Sequence, residues 1–359
     1  MSRALALAER GRGRTSPNPM VGAVVVDDEG VVVGRGSHEF AGGPHAEVHA
    51  LADAGERAKG ATLYCTLEPC AHTGRTGPCA PRVPESGIRR AVIAVQDPNP
   101  LVAGRGLSYM RDHGVLVDVG VLREPAERLN APFFSVMRRG RPFVTMKVAL
   151  SRDGRVSAGR GLRTALTGPE ANRLIHRERA EIDAIAVGSG TVAADDPRLT
   201  ARGAYRSRPL VRVIFDRSLR LPPSARVLST LDAGPIIVVS TRRMGPDLLE
   251  RAAVLNDVGV RILPVEAETP AAFMKEALGS LATEGVASLM LEGGPTLHHA
   301  AWKAGVVDRV QTFRTPQILG AAGVPWLEDG LFSIDELRDV RTVTLGDDVM
   351  VEGYVHRAD

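Results

Sequence analysis

The sequence is poor in aromatic residues and in net charge, and each shortage excludes a class of protein. Aromatic side chains make up only 4% of the chain, which argues against stacking platforms for single-stranded nucleic acid. The formal net charge is only +3 and no run of basic residues stands out, so a nucleic-acid-binding surface is not indicated. We therefore predict small-molecule partners and no nucleic acid.

Long hydrophobic runs and scattered cysteines are also lacking. No stretch is long and apolar enough to span a bilayer, and the N-terminal residues contain no adequate apolar segment for a signal peptide. The chain has 3 cysteines, all at positions 65–79, which suits a reducing compartment. We predict a cytoplasmic protein with no membrane association.

The length and the hydrophobic content indicate two domains. The chain has 359 residues, too many for one ordinary domain, and 44% of them are hydrophobic, enough for real cores. A helical stretch followed by a basic, Gly/Pro-containing turn occupies residues 121–142, and the strand pattern restarts after it. We predict domains at residues 1–141 and 142–359.

The stretch from His45 to Cys79 has the residues of a zinc site. It reads HAEVHALADAGERAKGATLYCTLEPCAHTGRTGPC. His45, Cys70 and Cys79 suit Zn²⁺, and a catalytic zinc takes three protein ligands and leaves a fourth position for water. Glu47 lies close enough to handle the protons of that water, and the H-x-E…P-C pattern is the signature of zinc deaminases.

The local pattern indicates how such a site would form. His45 opens an apolar-periodic run, which predicts a helix N-terminus, while Pro69 and Cys70 follow a predicted strand at 61–66 and are predicted to begin a second helix. Two helix N-termini would point partial positive charge at one spot and favour thiolate and hydroxide. Zinc lowers the pKa of bound water from 15.7 to about 7, so hydroxide exists at neutral pH.

Other interpretations of this stretch remain open. The three cysteines could form a disulfide and one free thiol, or His45 and His49, four residues apart, could share a helix face as a metal pair. His72 could replace a cysteine ligand. The generic deaminase pattern has two residues between its cysteines, whereas here there are eight. Cys65, in mid-strand, is predicted to be a buried thiol of the core.

Asn18 stands between two prolines in the segment TSPNPMVGAVVV, which leads into a strand. It is either a turn residue or a rigidly held amide that reads the edge of a heterocycle. The remaining elements of the first half are predicted as a hairpin at 21–36, a helix at 102–113, and further strands at 91–95 and 115–119. A helical crossover between the last two strands implies parallel pairing.

The second half alternates strands and helices, which predicts an α/β domain with a largely parallel sheet. Strands are expected at 143–149, 183–188, 210–215, 235–239, 260–264 and 286–291, and helices at 169–180, 246–256, 270–282 and 295–304. Ligands of such sheets bind at the carboxyl ends of the strands.

Three segments at such ends carry candidate ligand-binding groups. Lys147 is a cation on an otherwise apolar strand, which is costly unless it meets an anion or a hydrogen-bond network. Two glycines free the backbone of residues 187–202, where Thr191 and Asp195 supply polar groups. In the third segment a Gly-Gly pair precedes Pro295 at a helix start, whose bare N–H groups and dipole make a phosphate cradle.

The first half resembles a known family. The segments TSPNPMVGAVVV, HAE, TLEPCAHTGRTGPC and QDPNP are similar to the N-terminal domain of the RibD family of bifunctional riboflavin-biosynthesis enzymes, over nearly all of residues 1–140. The resemblance implies a cytidine-deaminase-like fold and deamination of a diaminopyrimidinone that carries a phosphoribosylamino group. It also implies that His45, Cys70 and Cys79 hold zinc and that Glu47 shuttles protons.

The second half resembles the C-terminal reductase domain of the same family over about residues 143–315, most specifically in GTVAADDPRLTAR. The resemblance implies a dihydrofolate-reductase-like fold and NADPH-dependent reduction of the ribose chain to ribityl. It places near the cofactor Ala149, Thr191, Asp195, Gly294, Pro295 and Thr296. It places near the substrate Arg179, Leu199, Arg202 and Glu292, and Lys147 is predicted to face the same ligand.

One segment departs from the family pattern. The family commonly has Ser-x-Trp-Ile-Thr where this chain has Arg163-Thr164-Ala165-Leu166-Thr167. Arg163 stands where the serine would meet the substrate, and Ala165 where the tryptophan would lie near the cofactor. Arg163 is able to pair with the substrate phosphate, because arginine grips phosphate bidentately. The departure allows a changed substrate or cofactor preference.

These observations together predict an α/β enzyme with an N-terminal cytidine-deaminase-like domain plus a C-terminal dihydrofolate-reductase-like domain. Its predicted cofactors are Zn²⁺ and NADPH, and its predicted reactions are deamination of 2,5-diamino-6-(5-phosphoribosylamino)pyrimidin-4-one by zinc hydroxide and reduction of the ribosyl group to ribityl. One alternative is a zinc deaminase of another base or nucleoside with an inactive or regulatory second domain. Another is a non-enzymatic protein with structural zinc and a nucleotide-sensing domain. Residues 316–359 carry no motif and are expected to finish the sheet and to make the contacts of a homo-oligomer.

Overall fold

The chain divides between Gly140 and Arg141 into two units, each built around its own sheet. The structure, a computed structural model, describes residues 1–71, 77–100, 102–327 and 331–355. Helices and strands alternate through both units, so the α/β class predicted from the sequence is confirmed. Within these ranges, none of the helices has the length and apolar character needed to cross a membrane.

The first unit is a five-stranded sheet with helices packed against it. Its strand order is β2-β1-β3-β4-β5; β1 pairs antiparallel with β2 and β3, while β3, β4 and β5 run parallel. The predicted hairpin and the predicted parallel pairing are therefore confirmed. The elements in chain order are α1 Ser2–Ala8, β1 Gly22–Val26, β2 Val32–Ser37, α2 Ala46–Ala54, β3 Thr62–Cys65, α3 Arg82–Glu85, β4 Arg90–Ile93, α4 Arg105–Asp112, β5 Leu116–Val119, α5 Arg123–Leu129 and α6 Ala131–Arg139.

Glycines let helix α2 lie directly on strand β2. A Cβ atom at Gly34 would lie 2.2 Å from the carbonyl oxygen of Ala50, and one at Gly36 would lie 2.1 Å from that of Ala46. No side chain fits at these distances, so only glycine permits this approach of two backbones. The contact holds the first turn of α2, with His45 at the N-cap position as predicted, against the end of β2.

The second helix predicted to begin at Pro69 and Cys70 is wrong. Residues 66–71 and 77–81 contain no helix, and the next helix in the described chain is α3. The backbone N–H groups of Cys79 and Ala80 both donate to the carbonyl oxygen of Cys70, at 3.0 Å each. That carbonyl closes a loop instead of a helical turn, and the loop brings the two cysteines together without a second helix dipole.

The helical stretch at residues 121–142 is two helices, α5 and α6, that meet at Asn130. The side chain of Asn130 accepts from the backbone N–H of Met20 at 2.7 Å and donates to its carbonyl oxygen at 2.8 Å. An amide side chain that satisfies both backbone groups of another segment fixes the end of the unit to the loop before β1.

The second unit has a nine-stranded sheet in the order β11-β10-β9-β8-β12-β6-β13-β16-β15, and a separate β7–β14 pair. Neighbouring strands from β11 to β13 are parallel, and β16 and β15 are antiparallel. The elements in chain order are β6 Phe143–Leu150, β7 Arg155–Ser157, α7 Pro169–Glu181, β8 Ala184–Gly188, α8 Ser189–Asp195, β9 Val211–Phe215, β10 Ile236–Thr241, α9 Pro246–Asp257, β11 Val260–Val265, α10 Pro270–Thr283, β12 Ser288–Leu291, α11 Pro295–Lys303, β13 Arg309–Arg314, β14 Val324–Pro325, β15 Arg338–Leu345 and β16 Asp348–Tyr354.

The parallel strands are buried on both faces, which explains their almost continuous apolar sequences. Along β8, Ala184 and Ala186 belong to one hydrophobic core, whereas Ile185 and Val187 belong to another. Successive side chains of a strand point to opposite faces, so the two cores lie on the two sides of the sheet. The expectation that residues 316–359 finish the sheet is confirmed by β15 and β16.

Candidate functional site

Three side chains of the first unit converge on one point. His45 Nδ1 lies 3.2 Å from Cys79 Sγ and 3.5 Å from Cys70 Sγ, and the three ligand atoms lie within 4.8 Å of one another. In the described part of the chain, no other group of three or more such side chains has this spacing, and His49 does not belong to it. The structure thus brings the predicted zinc ligands together.

All three cysteines are free thiols, so the disulfide alternative does not hold. Cys65 is fully buried in the core, as predicted. His72, the alternative ligand, lies outside the described residues.

The electrostatics of these side chains fit a cation. A hydrogen bond from Cys79, and a second from His45, lower the pKa of Cys70 to about 4. The same bonds raise the pKa of Cys79 and of His45. Protons shared among one nitrogen and two sulfurs are those that a metal displaces when it binds. One imidazole and two thiolates are a donor set for tetrahedral zinc with one position left over.

Glu47 lies in the first turn of α2, next to these ligands, and is 3% exposed. Burial raises the pKa of Glu47, and the nearby His45 opposes that rise. Its Oε2 atom is buried and has no hydrogen-bond partner among the described residues. A buried carboxylate oxygen without a partner is costly, so the site fits a cation and a water that complete it.

A cavity of about 390 Å³ opens beside Glu47. This volume lies within the range of small-molecule sites, roughly 300–1,000 Å³. The polar side chains on its wall are Asn18, His38, His45, Glu47, Glu68, Cys70, Asp97 and Asn99, and Phe133 adds an aromatic ring.

Asn18 lies in a turn, and its side chain also lies on the cavity wall, so its predicted role in reading a heterocycle stays a prediction. Its backbone N–H donates to the carbonyl oxygen of Thr15 at 2.9 Å, as in a turn. Its side chain lines the cavity, with Nδ2 3.3 Å from Nε2 of His38.

The sequence analysis missed Glu68, Asp97 and Asn99. The buried carboxylate of Glu68 accepts the backbone N–H groups of Gly106 and Gly104 at 2.9 and 3.0 Å, and those of Asp97 and Leu107 at 3.2 and 3.3 Å. Glu68 thereby holds the loop after β4 and the start of α4 against the segment that carries Cys70. Polar residues beyond the carboxyl end of a parallel strand were the available signal, and QDPNP follows β4.

In the second unit, Glu292 joins two cations at the carboxyl end of β12. Both carboxylate oxygens accept from the guanidinium of Arg179, at 2.7 Å each, and Lys147 Nζ lies 3.5 Å from Oε2. Burial alone would raise the pKa of Glu292, but Arg179 and Lys147 together lower it to about 2. Burial lowers the pKa of Lys147, against the opposing effect of Glu292. Three predicted residues therefore form one buried charged cluster.

The two glycine-containing segments meet at Thr191. The backbone N–H of Gly294 donates to Thr191 Oγ1 at 3.1 Å. Gly294 is the N-cap residue of α11, Pro295 begins the helix, and Thr296 is exposed in its first turn. The structure therefore places the predicted phosphate cradle next to helix α8, an element that the sequence analysis did not predict.

His298 on α11 is a core histidine. Its Nδ1 accepts from the indole N–H of Trp326 at 2.9 Å, and its Nε2 faces the carbonyl oxygen of Leu291 at 3.2 Å. Burial lowers the pKa of His298 to about 4, so the ring is neutral and braces the end of β12.

Arginines gather around the segment that follows α8. Arg179 Nη1 donates to the carbonyl oxygen of Thr200 at 3.2 Å, and Arg202 Nη2 lies 3.1 Å from His176 Nε2. Burial lowers the pKa of Arg202, and so do the charges of Arg179, Arg198, Arg163 and Arg226. Several positively charged side chains therefore surround the exposed Arg202, and such a group of charges favours the binding of an anion.

The remaining predicted residues have the following environments. Burial raises the pKa of Asp195, and the charge of Arg163 opposes that rise. Leu199 is 4% exposed and has a left-handed backbone with φ of 54°. Ala149 is half-buried against the core around Phe313. The carbonyl oxygen of Ala165, an exposed residue, faces Gln317 Nε2 at 3.5 Å. Their roles stay predictions.

Two family models match the two units. The model of the cytidine and deoxycytidylate deaminase zinc-binding region matches residues 1–95, and that of the RibD C-terminal domain matches residues 142–351. The fold and the metal centre thus define the class: a zinc-dependent deaminase domain joined to a reductase domain.

Known relatives match almost the whole chain. The riboflavin biosynthesis protein RibD of Aquifex aeolicus is 42% identical over 98% of this chain and 96% of its own length. That of Escherichia coli is 39% identical over 89% of this chain and 88% of its own length. The structure of Acinetobacter baumannii RibD is 33% identical, with a TM-score of 0.84 over 98% of this chain and 97% of that one. The chain belongs to the RibD family.

The predicted function is confirmed at this level. The protein is a bifunctional deaminase and reductase of riboflavin biosynthesis. Zinc and NADPH are the cofactors of the two domains, as predicted. The predicted pair of folds, cytidine-deaminase-like and dihydrofolate-reductase-like, is confirmed as well.

Proposed function

We propose that residues 1–141 deaminate 2,5-diamino-6-(5-phosphoribosylamino)pyrimidin-4-one and that residues 142–359 reduce the ribosyl group of the product to ribityl. A Thermotoga maritima relative, 33% identical with a TM-score of 0.82, is described as a diaminohydroxyphosphoribosylaminopyrimidine deaminase and 5-amino-6-(5-phosphoribosylamino)uracil reductase. The observation that carries the proposal is the convergence of His45, Cys70 and Cys79 beside the buried Glu47 at a cavity of about 390 Å³.

In the deaminase, each side chain has one task. His45, Cys70 and Cys79 would hold zinc, which supplies a Lewis acid that lowers the pKa of water to about 7. Glu47 takes a proton from that water and delivers it to the leaving amine, because its buried Oε2 has no partner among the described residues and its carboxyl group interacts with the ligands His45 and Cys79. Asn18 reads the edge of the pyrimidine from the cavity wall.

In the reductase, the buried cluster around Glu292 meets the sugar. Lys147, Arg179 and Glu292 present hydrogen-bonding groups at the carboxyl end of the sheet, where a parallel sheet binds its ligand. Leu199 and Arg202 belong to the arginine-rich segment, which suits the substrate phosphate. NADPH supplies the hydride when it is bound, and the residues proposed to hold it are Ala149, Thr191, Asp195, Gly294, Pro295 and Thr296.

Arg163 and Ala165 mark where this chain departs from its family. Arg163 lies within electrostatic reach of both Asp195 and Arg202, which supports a role in holding the substrate phosphate. Ala165 offers little surface to a cofactor, so we propose weaker packing against NADPH at this point.

The location and the assembly are also proposals. Free thiols at all three cysteines support a reducing, cytoplasmic compartment. The proposed substrates are small phosphoribosylated pyrimidines and not nucleic acids. A homo-oligomer is proposed as well, and size-exclusion chromatography with light scattering tests it.

The test of the proposed function uses the full-length zinc-loaded enzyme and the phosphoribosylated diaminopyrimidinone. We expect one equivalent of ammonia to be released without NADPH, followed by oxidation of one equivalent of NADPH when it is added. Ammonia release from cytidine, with none from this substrate, would favour a deaminase of another base. Absence of NADPH oxidation would point to a regulatory second domain.

A further inference from the structure

His38 makes one hydrogen bond at each ring nitrogen, and one nitrogen must donate while the other must accept. Its Nδ1 lies 3.0 Å from the carbonyl oxygen of Pro44, and its Nε2 lies 3.3 Å from the side-chain nitrogen of Asn18. The residue is 2% exposed, and its ring packs edge-on against the zinc ligand His45, with ring centres 5.5 Å apart. The ring therefore has little freedom to turn.

The chemistry of the two neighbours decides where the proton lies. A carbonyl oxygen only accepts hydrogen bonds, so Nδ1 of His38 must carry the N–H. In a neutral imidazole the other nitrogen then has a lone pair and accepts. The group that faces it must be a donor, which is the NH₂ end of the Asn18 amide. His38 thus determines which end of that amide points toward the ring.

The other end of the amide is left for the cavity. Asn18 Oδ1 has no hydrogen-bond partner among the described residues, and Asn18 lies on the cavity wall with Glu47. With its NH₂ group engaged by His38, the side chain offers an acceptor to a bound molecule. The matching feature of a ligand is an N–H donor on the edge of a heterocycle.

We propose that His38 is a positioning residue of the deaminase: it holds the Asn18 amide with its oxygen toward the cavity, so that the site selects a ring that donates an N–H there. This inference rests on the proposed deamination of the phosphoribosylated diaminopyrimidinone. His38 itself takes no part in the chemistry, and its effect passes through Asn18.

The test compares steady-state ammonia release by the zinc-loaded, full-length enzyme and its variants. His38→Leu removes both bonds and frees the amide to rotate. We expect the KM to rise about fivefold to about 150-fold above that of the wild type, which corresponds to the cost of about 1–3 kcal/mol for an unmatched polar contact. We expect kcat to stay within about threefold, because Glu47 and the zinc ligands are untouched.

Two further variants separate positioning from support of the fold. His38→Gln can place a side-chain oxygen where Nε2 lies, which restores an acceptor for Asn18, and we expect its KM to return toward the wild-type value. In an Asn18→Ala background, His38→Leu should add little, because the group that it positions is gone. The matched control is His113→Leu, since His113 is exposed, directly follows α4 and has its Nδ1 2.8 Å from the carbonyl oxygen of Tyr109 on that helix.

The outcomes are distinct. A wild-type enzyme that releases no ammonia from this substrate would overturn the proposed function. An active wild type with unchanged KM in His38→Leu would overturn the inference alone. A His38→Leu variant that loses both kcat and bound zinc, as measured by metal analysis, would also overturn the inference, because this would show that His38 supports His45 instead of Asn18. Independent, additive effects of the Asn18 and His38 substitutions would also overturn it.

Discussion

Glu292 balances the buried charges of the second unit, and its replacement by glutamine is predicted to destabilise that unit. Its side chain is 9% exposed and lies between Arg179 and Lys147. These cations, acting against burial, lower its pKa from 4.5 to about 2. This fall corresponds to about 3 kcal/mol of unfolding free energy at neutral pH. Breaking a buried pair, which leaves its partners uncompensated, costs about 3–5 kcal/mol, so we expect a loss of that order in Glu292→Gln.

The loss depends on pH in one direction. The pKa is depressed in the folded state, so the stabilisation is complete above the ordinary pKa of 4.5 and is lost as the pH falls through about 2. The difference in unfolding free energy between wild type and variant should therefore be constant from about pH 8 to about pH 5.5. It should shrink steadily below about pH 4.5.

The two tryptophans of the chain make the measurement selective. Trp302 and Trp326 both belong to the second unit, so tryptophan fluorescence during urea unfolding follows that unit alone. Urea is preferred because it does not screen ion pairs. The control is Glu170→Gln, which breaks an exposed pair with Arg173 on α7 and should leave the urea midpoint close to that of the wild type, because solvent screens such a pair. A Glu292→Gln variant within about 0.5 kcal/mol of wild type at neutral pH would refute the reasoning, as would a difference that does not shrink below about pH 4.5.

Three further predictions concern the two sites. Removal of zinc by a chelator should stop ammonia release, while oxidation of NADPH with the deaminated intermediate continues; loss of both activities would contradict separate sites. Thr191→Val leaves the Gly294 N–H without its acceptor, so KM for NADPH should rise about tenfold; Thr191→Ser should restore it, and equal values in all three proteins would reject this role. Glu68→Gln replaces one of the two accepting oxygens by an NH₂ group, which then faces two of the four backbone N–H donors, and should lower the temperature of half-inactivation of ammonia release by several degrees; an unchanged temperature would show that the loop holds without it.

Periodicity and spacing predicted the elements well. In the second unit the predicted strands and helices match those of the structure within about two residues, because the parallel strands are short apolar runs that Gly and Pro separate. The zinc ligands could be predicted from the sequence, because one imidazole and two thiols in a single stretch have few other uses in a chain with 3 cysteines. The role of Glu47 could be predicted from its spacing of two residues from His45.

Residues that act through tertiary contacts could not be predicted from the sequence in the same way. The helix predicted at Cys70 does not form because that carbonyl accepts from Cys79 and Ala80, a contact across the loop that no local pattern shows. In the sequence alone, Glu68 has the pattern of an ordinary turn residue. Only the folded chain brings four backbone N–H groups to its carboxylate. Lys147 could be predicted to need an anion, but its partner Glu292 is far along the chain, and only the parallel sheet brings the two together.

Replacement of Glu47 by glutamine, with ammonia release and bound zinc measured on the same sample, tests the central claim most directly. Glutamine keeps the shape of the side chain but cannot carry the proton. We predict that zinc stays bound at the wild-type level while the rate of ammonia release falls by about 10²- to 10⁴-fold. Ammonia release at the wild-type rate from the zinc-bound variant would contradict the account.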